Sequence, residues 1–129
     1  MKYIAKIVLC LVTTCLANYS FATSEHPFVQ GYVAEYVLHP NNPEIFTNIF
    51  LWTVKASCKI SITEESNPLQ ISVLNKTGTV NSVPLISGDT MLVTVHNNEK
   101  VYITADSGAK VKLENKGIAD IRIACEGSA

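Results

Sequence analysis

Trp52-Thr53-Val54-Lys55-Ala56-Ser57-Cys58-Lys59-Ile60-Ser61-Ile62-Thr63 alternates without a break between apolar or small residues and polar ones. Trp52, Val54, Ala56, Cys58, Ile60 and Ile62 fall on one face, and the threonines, serines and lysines fall on the other. A period of two is the mark of a half-buried β-strand, because successive side chains point to opposite sides of a sheet. A second alternation closes the chain: Ala119, Ile121, Ile123 and Cys125 oppose Asp120 and Arg122. Cys58 and Cys125 therefore both face inward, and they are predicted to pair as a disulfide tying an early strand to the last one. Inward positions and the lack of a Cys-x-x-Cys spacing argue against a redox or metal-binding pair.

Outward from these two strands, turn formers punctuate the chain at short intervals. Leu69–Val73 alternates and is closed by Asn75-Lys76-Thr77-Gly78. Thr79–Ile86 is a weaker strand, and its Pro84 points to an edge or an irregular stretch. Ser87-Gly88-Asp89 leads into Thr90–Val95, Asn97-Asn98 makes a hairpin turn into Lys100–Ala105, and Asp106-Ser107-Gly108 turns into Lys110–Leu113. Asn115-Lys116-Gly117 precedes a last strand at Ile118–Cys125. Toward the N-terminus, the first alternation is extended back to a long strand, Ile49–Thr63, and His39-Pro40-Asn41-Asn42-Pro43 is a loop. Phe28–Leu38 carries helical spacing, but its β-branched and aromatic content favours a strand. Thr23–Pro27 is a solvated lead-in. Seven or eight short strands separated by turns predict an all-β protein, a β-sandwich or small barrel, with a single antiparallel β-sandwich, immunoglobulin-like or jelly-roll-like, as the favoured form. The immunoglobulin likeness is one of architecture only: Trp52 precedes the first core cysteine, and Ile123 stands where the corner tyrosine would be.

The N-terminus has a different character. Lys2 and Lys6 precede the apolar run Ile7–Ala17, and Ser20 and Ala22 then place small residues three and one before a cleavage point. This is the pattern of a secretory signal peptide, residues 1–22, whose apolar stretch is too short for a comfortable membrane span. Lipidation at Cys15 is the weaker alternative, because Thr14 is a poor residue before a lipidated cysteine. Cleavage after Ala22 removes Cys10 and Cys15, and leaves residues 23–129 as one domain with a single cysteine pair. The expected location is secreted or periplasmic, with no transmembrane segment in the mature chain.

Charge narrows the partners. The ten basic residues fall to eight against eleven acids once Lys2 and Lys6 are lost, a formal charge of -3. With no basic run, neither nucleic acid nor an anionic membrane surface is an expected partner. No serine-hydrolase elbow, phosphate-cradling loop, zinc-protease motif or EF-hand is present in the chain. His26, His39 and His96 are scattered, Glu64 and Glu65 are neighbours in a turn, and Asp89 and Asp106 read as turn formers. No catalytic residue, metal or cofactor is expected. The candidate binding surface is aromatic and basic: Tyr32, Tyr36 and Tyr102 with Lys55 and Lys59. Lys110, Lys112 and Arg122 also point outward by alternation, and a basic stripe on one sheet would use all five cations. The function these readings favour is that of an exported, small, non-enzymatic binding protein. It would be a bacterial factor acting on a protein or carbohydrate of the host or envelope. A small hydrolase or enzyme inhibitor with a loop-built site, and a structural subunit of an envelope or pilus-like assembly, are the alternatives.

Overall fold

A computed structural model describes residues 24–27 and 33–128. The expected signal peptide, with Cys10 and Cys15, lies outside the described residues, and so does Tyr32. In chain order the strands are β1 (Ser24–Pro27), β2 (Val33–Leu38), β3 (Glu44–Thr47), β4 (Val54–Ser61), β5 (Ser66–Asn75) and β6 (Thr77–Val80). They continue as β7 (Val83–Ile86), β8 (Thr90–His96), β9 (Lys100–Ala105), β10 (Lys110–Asn115) and β11 (Ile121–Ser128). Two sheets form. The first has the order β1-β3-β10-β5-β8 and the second β2-β11-β4-β9-β6-β7. Every pairing between described strands is antiparallel except β1 with β3, which run parallel.

The alternation of the deciding segment sets how the sheets pack. Val54, Ala56, Cys58 and Ile60 of β4 are buried, while Lys55, Lys59 and Ser61 are exposed. Facing them across the sandwich are Leu69, Ile71 and Val73 of β5 with Val111 and Leu113 of β10. Val101 and Ile103 of β9 and Ile121 and Ile123 of β11 complete the apolar centre. Each such side chain stabilises the fold by roughly 1.5–3 kcal/mol relative to exposure.

Cys58 and Cys125 are bonded, as the inward-facing alternation predicts. They sit opposite each other on β4 and β11, neighbours in the second sheet, with Cα atoms 4.0 Å apart. The bridge therefore staples one sheet, where the immunoglobulin arrangement links two.

Several boundaries differ from the sequence reading. The lead-in at residues 23–27 contains strand β1, recruited by pairing beside β3 rather than by any pattern of its own. Strand Ile49–Thr63 is shorter: β4 starts at Val54, and residues 48–53 form a loop. Thr79–Ile86 divides into β6 and β7 about a turn at Asn81 and Ser82, whose φ angles of 48° and 69° suit a tight hairpin. Pro84 does lie on an edge strand. Asn97-Asn98 is a turn but not a hairpin, since β8 joins the first sheet and β9 the second. The last strand begins at Ile121, three residues later than expected, and Ile118 is 94% exposed.

Buried asparagines hold the loops at the two ends of the sandwich. At one end Asn115 donates to the carbonyls of Leu38 and Ala119, at 2.8 and 2.7 Å, and accepts from the Gly117 amide. Asn67 donates to Ala119 as well. At the other end Asn48 does the corresponding work for the loop at residues 48–53.

Candidate binding surface

The expected site residues divide between the inside and the outside of the sandwich. Tyr102 is 55% exposed on the outer face of the second sheet, opposite Ser57, and Lys55 and Lys59 share that face. Lys55, Ser57, Tyr102, Thr104, Glu126 and Ser128 line a shallow depression of about 300 Å3 there. Tyr36 is on the inner face of β2 instead. Its ring lies 4.9 Å from Phe46, edge-on, and 4.8 Å from His26. Burial there raises the pKa of the Tyr36 phenol, because the phenolate is costly away from water. The five outward cations do not form one stripe: Lys110 and Lys112 are on β10 of the first sheet, and Lys55, Lys59 and Arg122 are on the second.

The histidines and acids are also spread out. His26 meets Glu44 at 2.9 Å, His39 meets Asp120 at 2.9 Å, and His96 meets Glu99 at 3.3 Å. Asp89 accepts from the Ile86 amide within its own turn. Asp106 accepts from the hydroxyls of Thr53 and Thr77, tying the loop before β4 to the start of β6. Among the described residues, no group of three His, Cys, Asp or Glu side chains is placed to hold a metal ion. No helix among them is long and apolar enough to cross a membrane.

The surface that alternation did not reveal is the loop from Asn48 to Thr53. Ile49 is 65% exposed, Leu51 90% and Trp52 48%. Phe50 stacks on Trp52, with ring centroids 5.1 Å apart. Four consecutive apolar residues on a loop would ordinarily collapse inward or leave the backbone disordered, yet here the backbone is pinned from below. Asn48, 1% exposed, donates both amide hydrogens, to Trp52 O at 2.8 Å and Ala105 O at 2.9 Å. Its side-chain oxygen accepts from the Phe50 amide at 2.9 Å. The main chain of Asn48 is engaged too, donating to Ala109 O and accepting from Gly108 N. Ser107 donates to Phe50 O at 2.8 Å from the neighbouring loop.

One signal for this loop was present in the sequence. Ile49-Phe50-Leu51-Trp52 breaks the period of two, and an exposed run of that length is a fault unless it has a use. Trp52 fits the alternation of β4, and that fit conceals the break. Asn48 gave no comparable signal, since its role depends on Ala105, which is 57 residues away.

Comparison with protein-family descriptions, with curated proteins and with solved structures returned no match.

Proposed function

We propose that this protein is an exported, non-enzymatic interaction module that docks a protein partner on the apolar tip formed by Ile49, Phe50, Leu51 and Trp52. The observation that carries the reading is the contrast within one loop. Its backbone is over-determined by Asn48 and Ser107, while Ile49, Leu51 and Trp52 are held out in water and Phe50, half-buried, stacks on Trp52. Exposed apolar area is unfavourable by the same roughly 25 cal/mol per Å2 that makes its burial favourable. A rigid arrangement that maintains such exposure is suited to burial against something else. Trp and other aromatic anchors dominate interface energetics, and pre-ordering them lowers the entropy lost on association.

Export is supported by the basic and apolar pattern of residues 2–17, the small residues before Thr23, and a disulfide suited to an oxidising compartment. The depression beside Tyr102 supplies a second contact area, near the start of β4 where the loop ends. A sandwich of the immunoglobulin-like or jelly-roll-like kind suits this role, because such folds carry loops at both ends on a rigid frame. Affinity capture from envelope and medium extracts tests the reading. A specific partner retained by the native protein and by Ile118→Ser, but lost with Leu51→Ser/Trp52→Ser, supports it. Equal retention by all three variants, or retention of nothing specific, refutes it.

A further inference from the structure

The four sheet edges are not equally protected. β1 and β7 are four residues long and carry Pro27 and Pro84, and β2 turns Glu35 outward. Short length, proline and outward charge are the usual devices that stop an edge from pairing with another chain. β8 has none of them. It runs for seven residues, Thr90–His96, with no proline, lysine or acid. Among the described residues its only sheet neighbour is β5, and half of its backbone hydrogen-bonding groups face away from that strand. Leu92 is 63% exposed on the outer side, and Met91 and Val93 are only half-buried on the inner side.

We propose that β8 is a self-association edge, on which a second copy of this chain pairs antiparallel about a two-fold axis at Val93. This goes beyond the loop reading and uses a different surface. The register follows from the strand itself. With Val93 opposite its own copy, Met91 faces the partner copy's Val95, Leu92 faces Thr94, and Thr90 faces His96. Each pair keeps its side of the sheet, because the axis relates residues an even number apart. The inner row stays wholly apolar and the outer row holds no like-charge pair of acids or lysines. A two-fold, self-complementary edge of this kind closes on itself rather than propagating. Two five-stranded sheets would then become one continuous sheet, and the half-exposed Met91 and Val93 would gain cover.

The test is sedimentation of the protein purified from the expressing cells, across a range of micromolar concentrations. Amide hydrogen exchange at the two ends of that range is measured alongside. The native protein is expected to be dimeric at high concentration, with residues 90–96 gaining protection as it associates. Leu92→Lys/Thr94→Lys sets introduced like charges opposite each other twice, and is expected to weaken the dimer about tenfold or more. Leu92→Lys/Thr94→Glu sets opposite charges across the same two contacts, and is expected to restore it. Both variants alter exposed positions, and the restoring one guards against a mere folding defect. A native protein that stays monomeric overturns the proposal. So does a dimer indifferent to the double lysine, or one that the lysine–glutamate pair fails to restore.

Discussion

Asn48 shows how much a single side chain can decide when its partners are far away in sequence. Its amide satisfies two carbonyls and one N–H in a site with almost no access to water. Asn48→Ala leaves all three without that partner, and each buried polar group left unpaired costs about 1–3 kcal/mol. We expect a loss of about 3 kcal/mol in urea denaturation, well beyond the effect of Leu51→Ser. That side chain is 90% exposed, and its removal should change stability by no more than about 0.5 kcal/mol. Trp52 is the chain's only tryptophan, so its emission reports on the same loop. Emission shifted to longer wavelength in Asn48→Ala, but unchanged in Leu51→Ser, would mark the loop as released. A second residue-scale prediction concerns Tyr36. Burial raises its pKa, so the unfolded phenol releases its proton first, near the usual value of about 10. Between that pH and the folded value, the unfolded state binds fewer protons, and stability falls as pH rises. Below that window the group contributes no pH dependence. Tyr36→Phe should lose this part of the alkaline decline in denaturation curves, and an identical decline in both proteins would contradict the assignment.

Elements were legible where one pattern carried them. β4 and β5 alternate visibly, and both cysteines face inward for a reason that two independent alternations supply. The elements that escaped are those made by a neighbour. β1 is a strand because β3 is beside it, and its four residues carry no apolar alternation. β8 and β9 look like a hairpin, since a local turn signal cannot say that the strands after it go to different sheets. Two predictions belong at this scale. A Cβ added at Gly78 would lie 2.3 Å from the Thr104 carbonyl oxygen, which is backbone and cannot swing away. Gly78→Ala should therefore push β6 off β9 and cost about 2 kcal/mol in equilibrium unfolding. Removing the bridge with Cys58→Ala/Cys125→Ala frees a loop with a separation of 67 residues. The expected loss is about 4 kcal/mol by the loop-entropy argument, a large part of the roughly 5–15 kcal/mol typical of a domain. A double variant within about 1 kcal/mol of the native protein would show that the bridge constrains the unfolded chain far less than its span implies.

At the scale of the molecule, a two-sheet sandwich and its staple followed from periodicity, turn spacing and cysteine count. The candidate surface followed only in part. Tyr102, Lys55 and Lys59 share an outer face because a strand's alternation states which side each residue takes. The tip at residues 49–52 is hidden in the sequence because the interior is the ordinary destination of Ile, Phe, Leu and Trp. What overrides that rule is tertiary: a buried asparagine and a neighbouring loop fix the backbone so that Ile49, Leu51 and Trp52 stay out. Docking through this tip is the central claim, and site-specific photo-crosslinking in cells that express the protein tests it most directly. A photoreactive residue is placed at position 51, and at position 118 as an equally exposed apolar control at the opposite end of the sandwich. The expected result is a discrete protein adduct from position 51, absent from position 118 and lost when Asn48→Ala is added. Adducts of equal yield from both positions, or none from position 51, would contradict it.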